Sequence, residues 1–126
     1  MYKTFIYAII IFVLNSCATY SPNNERIVNI IGEDIEIILS TDKENIWGLF
    51  LNITGNISGE INLEIERCDS DYKIIYNYIN NVNYKYSSSE NTPADYYSNK
   101  IIIRIYPINN SKGELRIKYD FASNDY

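Results

Sequence analysis

The sequence predicts an all-β domain, a small antiparallel β-sandwich of about eight strands, and three observations carry that expectation. Beyond Arg26, apolar and polar residues alternate in one short segment after another, the period of a strand with one face in a core and one in water. Polar breaks rich in Asn and Gly separate these segments at intervals of about 8–12 residues, the spacing of sandwiches and barrels. No stretch of the body sustains the three- and four-residue apolar spacing of a helix. The composition agrees, since Ile and the 13 tyrosines favour strands and the many Asn residues favour turns.

The elements follow in order. Arg26 to Ile31 is a first strand whose apolar residues cluster rather than alternate. Glu33 to Leu39 directs Ile35, Ile37 and Leu39 to one face and Asp34 and Glu36 to the other, and Ser40 to Asn45 is a polar turn. Trp47 to Thr54 places Trp47, Leu49, Leu51 and Ile53 together. Thr54-Gly55-Asn56 then reads as a hairpin turn, with Gly free to take positive φ. The returning strand, Ile57 to Glu66, has Ile57, Ile61, Leu63 and Ile65 inward and Asn62, Glu64 and Glu66 outward. Cys68 to Asp71 turns the chain into Tyr72 to Ile79, where Ile75 and Ile79 oppose Tyr72, Ile74, Tyr76 and Tyr78 and both faces are partly covered. Asn80-Asn81 reads as a tight turn into Val82 to Tyr86, with Val82, Tyr84 and Tyr86 on one face. Asn99 to Pro107 is an apolar strand, Asn109 to Gly113 a polar turn, and Glu114 to Phe121 the closing strand. There Leu115, Ile117, Tyr119 and Phe121 face in and Glu114, Arg116, Lys118 and Asp120 face water.

Ahead of this body, Lys3 supplies one positive charge and Phe5 to Leu14 is an unbroken run of ten apolar residues. That is half the roughly 20 residues of a membrane span, and with the small Ser16 at its end it describes a cleavable export signal. The segment Leu14-Asn15-Ser16-Cys17 resembles the lipobox of bacterial lipoproteins. The resemblance implies loss of residues 1–16, a diacylglyceryl group on the Cys17 sulfur and acylation of the new amino group. Residues 17–25 are then the lipidated N-terminus and a short tether, and 26–126 the β-sandwich domain. A buried acyl CH₂ is worth about 0.8 kcal/mol and two chains suffice for stable anchoring, so the lipid alone would hold the protein on the membrane. Ala18, rather than an aspartate, follows the cysteine, which points to the outer membrane of the bacterial envelope.

The chemistry the sequence excludes is as informative. A net charge of −5 without a basic stripe argues against nucleic acid and against electrostatic docking on anionic lipid. There is no histidine, which removes Ser-His-Asp and Cys-His triads and the usual zinc sets, and the five glycines are isolated, so no phosphate loop forms. No cofactor is expected. With Cys17 acylated, Cys68 stands alone and reads as a half-buried packing residue. Glu64 and Glu66 could serve glycoside hydrolysis in principle, yet they fall on a water-facing strand side. Asp69 and Asp71 are weak calcium candidates that an Asx turn explains equally well.

The irregular stretch Ser87 to Ser98 is unusually long for a compact domain, and loops of this length tend to carry function. It ends in Asp95, Tyr96 and Tyr97, and tyrosine offers contact area with a polar tip, so these three are the candidate binding residues. The expected function is a non-enzymatic binding module for a protein or an envelope component. Immunity against an exported toxin is one form of it. The alternative is a carboxylate-based enzyme acting on cell wall or glycan.

Overall fold

The computed structural model describes residues 24–88 and 92–124. The signal segment, Cys17 and most of the tether lie outside these. Six strands form one antiparallel sheet: β1 (Asn24–Ile31), β2 (Ile35–Ser40), β3 (Ile46–Arg67), β4 (Lys73–Tyr86), β5 (Ala94–Asp95) and β6 (Lys100–Ser123). Their order is β1-β6-β3-β4, with β2 also on β6 and β5 also on β3. Among the described residues there is no helix, in line with the all-β expectation.

Three expected turns do not reverse the chain. The chain runs straight through Gly55, because β3 pairs with β6 from Ile46↔Ser123 to Arg67↔Ile101. Ile53 therefore faces Ile117, and Ile57 faces Gly113, instead of facing each other across a hairpin. Asn80-Asn81 likewise lies within β4, and Asn109 to Gly113 within β6. The physical reason is that the Gly and Asn chemistry of a turn also suits a bulge, which needs a locally positive φ but keeps the strand going. Asn80, Asn109 and Asn110 have φ of 64°, 55° and 58°, and Gly59 has 116°. The register of β3 shifts at Asn56–Glu60 against both of its long neighbours. These irregularities lie at one level across the sheet. β1 pairs with β6 only beyond it, at 112–119, and β2 only before it, at 100–105, with Gly32 in the link between them.

Ser111 holds the bulge together. Its Oγ accepts the Glu60 N–H at 2.8 Å and lies 2.7 Å from the Glu60 carbonyl and 2.5 Å from that of Ile108, either of which can take its one proton. This pairing satisfies a buried hydroxyl at the level where the ladder shifts register. At Gly55 the constraint is contact rather than φ, since a Cβ there would lie 2.1 Å from the Glu114 carbonyl oxygen.

The buried residues of both levels form a single core that includes Ile30, Leu51, Ile61, Ile103, Leu115 and Phe121. Most expected inward positions are buried, and several placements differ. Trp47 is 40 % exposed because the β3–β6 register slips between Ile46 and Gly48. On β4 the faces are unequal: Ile74, Tyr76 and Tyr78 turn in, whereas Ile75 and Ile79 are 60 % and 62 % exposed. Asp120 is buried rather than hydrated, because Lys43 from the β2–β3 connection reaches its Oδ1 at 3.3 Å and the Phe121 carbonyl at 2.9 Å.

Ile117 is fully buried, so Ile117→Ala should cost about 2–5 kcal/mol through lost transfer energy and a residual cavity. Arg116→Ala removes only an exposed pair with Glu25 and should cost less than about 1 kcal/mol in the same urea titration. Gly55→Ala should lower stability by about 1–3 kcal/mol or more by overpacking. A neutral Gly55→Ala would mean that β3 and β6 approach less closely there.

Candidate functional site

Residues far apart in sequence meet around Arg67, the last residue of β3. Its guanidinium grips Asp69 with two parallel bonds, Nε to Oδ1 at 2.8 Å and Nη2 to Oδ2 at 2.7 Å. It also lies 5.4 Å and 5.3 Å from the ring centroids of Tyr86 and Tyr96, within cation–π range. The Asp69 carboxylate accepts the Tyr97 N–H at 3.1 Å, so it ties the 67–69 corner to the segment that follows β5. Arg67 and that N–H together hold the Asp69 carboxyl below the usual carboxylate range, against the opposing effect of its burial.

Tyr96 is fully buried. Its hydroxyl accepts the Cys68 N–H at 3.1 Å and donates to the Lys100 carbonyl at 2.6 Å, and its ring meets Tyr86 edge-on and Phe121 at a tilt. Burial pushes the hydroxyl pKa up, so it stays a neutral donor. Tyr97, one residue on, points the other way and is 64 % exposed, since consecutive residues of an extended chain face opposite sides. Asp95 is exposed, and its part in the corner is its backbone carbonyl, which accepts the Tyr86 hydroxyl and lies 3.5 Å from Arg67 Nη2. Cys68 is half-buried, and burial raises its thiol pKa.

The structure thus brings Asp69, Asp95, Tyr96 and Tyr97 to one corner. Asp71 is exposed and makes none of these bonds. Both Asp69 oxygens are occupied by N–H donors, and the described residues contain no group of three or more metal-binding side chains. Cys17 lies outside the described residues.

Beside the corner lies a cleft of about 110 Å³, lined by Tyr72, Tyr76, Tyr84, Tyr86, Ile65, Ile74 and Ile101 together with Arg67. Tyr76 and Tyr84 pack with ring centroids 5.1 Å apart. Sequence reasoning missed this cleft. The alternation that aims Tyr76 and Tyr84 inward is legible, but the two rings meet from either side of the irregularity at Asn80 within one continuous strand, where the sequence predicts a turn.

Glu64 does not lie on a plainly hydrated face, contrary to expectation. It is buried, because Arg104 stands opposite it on β6 and donates from Nη1 to its Oε2 at 2.7 Å. The same nitrogen reaches Glu66 at 3.0 Å, Nε reaches Glu36 at 2.9 Å, and Lys73 lies 3.7 Å from Glu64. This cluster ties β2, β6, β3 and β4 side by side, with both candidate carboxylates held by one guanidinium.

No family model and no curated protein matches the chain. Among solved structures, a de novo designed double-stranded β-helix is similar at 15% identity and a TM-score of 0.39, over 78% of this chain and 100% of that one. The Drosophila NLP core, described for pentamer formation and histone binding, aligns at 12% identity and 0.47, over 80% and 98%. A ruminal GH26 endo-β-1,4-mannanase aligns at 8% and 0.41, over 82% of this chain and 21% of that one. At these values the likeness assigns neither family nor activity.

Tyr96→Phe removes a hydroxyl that serves two backbone groups, takes this partner from both, and should cost about 1–3 kcal/mol. For Asp69 the folded pKa lies below the unfolded one, so its contribution is complete above the unfolded value near pH 4 and drains away as pH falls through the lower folded value. Asp69→Asn should flatten that acid limb in a plot of urea midpoint against pH. An unchanged limb would mean the Arg67 bridge does not persist in solution.

Proposed function

We propose that this chain is an exported bacterial lipoprotein, cleaved before Cys17 and held by acyl chains at the outer membrane, whose body is a non-enzymatic binding module. The body is read as a β-sandwich. This is supported by strand irregularities aligned at one level and by one core that serves the strand segments on either side. Counted by level, β1, β2 and the two halves of β3, β4 and β6 give the expected number of about eight.

The observation that carries the binding role is Tyr97. Its ring is exposed, its own N–H is fixed by Asp69, and its neighbour Tyr96 is locked in the core. A ring presented on a braced backbone loses little conformational entropy on binding, which favours affinity. The adjoining tyrosine cleft extends the apolar surface around Arg67. The partner is a protein or an envelope component, and the acidic charge of the chain suits a basic one, such as an exported toxin.

Tyr97→Ala should leave the melting curve unchanged and weaken capture of partner from native envelope by about tenfold or more, as interface aromatics often do. Tyr96→Ala should instead lower the melting temperature. If Tyr97→Ala captured partner as well as wild type, the binding site would not be this corner. For the anchor, Cys17→Ser should abolish the lipid increment in intact mass and the partition into detergent. A wild-type mass without that increment would end the lipoprotein reading.

A further inference from the structure

We infer that the first half of β4 is a self-association edge, at which two copies of this chain pair antiparallel through residues 75–79. β4 ends the strand order, and among the described residues its outer edge pairs with no other strand. Such a row of free N–H and C=O groups templates another strand unless a charge, a proline or a bulge blunts it. From Ile74 to Tyr84 the strand carries neither charge nor proline, and its irregularity at Asn80 comes only after the straight run 73–79. The edges on the other side are shorter and guarded within the strand, by Glu25 and Arg26 on β1 and by Glu36 on β2.

The sequence of this edge is self-complementary. A two-fold axis through Asn77 sets Ile75 opposite Ile79 of the second copy and Ile79 opposite its Ile75, on the face where both are most exposed. On the other face, Tyr76 meets Tyr78 of the second copy. Lys73 lies outside the paired run, 3.7 Å from Glu64 of its own chain, and Glu60 of β3, which pairs with Ile79, accepts from Asn77 at 2.8 Å. The register therefore sets no like charges against each other, because the paired run carries none, although the whole chain is acidic. A second copy is favoured over a foreign strand because this one register sets isoleucine against isoleucine, tyrosine against tyrosine and asparagine against asparagine with no charge left facing the seam.

Residues directly opposite in an antiparallel pair have Cα atoms about 4.5–5.5 Å apart, inside the range a disulfide spans. Asn77→Cys on the axis should therefore form a disulfide-linked dimer when the full chain is oxidised in detergent micelles. The yield on a non-reducing gel should exceed at least tenfold that of wild type, whose own cysteines set the background, and that of Asn83→Cys on the far half of β4. Adding Ile75→Lys and Ile79→Lys puts lysines opposite each other and should return the yield to background, with circular dichroism unchanged because both side chains are exposed. The inference is overturned by an Asn77→Cys yield at the wild-type level, by equal yields at positions 77 and 83, or by crosslinking that survives the two lysines.

Discussion

The antiparallel pairing of β3 with β6 is the interaction on which the rest depends. The two strands run beside each other from Ile46↔Ser123 to Arg67↔Ile101, and every other strand pairs with one of them. β1 and β2 share the outer side of β6, while β4 and β5 share the outer side of β3. A strand of this length cannot stay flat, because twist accumulates along it. Bulges lie at one level along the pair, and the Ser111 hydroxyl bonds the Glu60 backbone there. Gly55 sits at a close approach of the pair, where a Cβ would collide with the Glu114 carbonyl oxygen.

Two arginines mark the ends of this logic. Arg104, in the first half of β6, gathers Glu36, Glu64 and Glu66 from both flanking strands. Carboxylates that would repel one another are thereby turned into a cross-strand tie. Arg67, at the end of β3, does the reverse: it has one carboxylate partner and spends its faces on Tyr86 and Tyr96. A paired guanidinium of this kind is neutralised locally but still orients rings, which makes the corner rigid and mostly apolar. The second Asp69 contact, to the Tyr97 N–H, carries that rigidity into the segment that presents the exposed ring.

Alternation along each strand determined most of the fold. Ile37 and Leu39, or Leu115, Ile117 and Phe121, can be buried together only if the segment is extended, so the inward faces and the all-β class were legible without coordinates. The same pattern placed Val82 and Tyr84 inside. Periodicity is silent on direction, however. Gly55, Asn80 and Asn109 carry chemistry that serves a reversal or a bulge equally well, and the choice is made by which distant strand completes the ladder.

Of the corner, the sequence determined the residue types: two adjacent tyrosines at the end of a long loop, with an aspartate in a separate turn. Which tyrosine is anchor and which is exposed was not legible, because strand parity needs a reference point. That reference is the pairing of β5 with Gly48 and Leu49. The partnership of Arg67 with Asp69, the tyrosine cleft and the burial of Glu64 are tertiary for the same reason. Each depends on side chains brought together by the long-range β3–β6 and β3–β4 registers, and a local pattern of charge or aromaticity carries no information about the strand that will lie beside it.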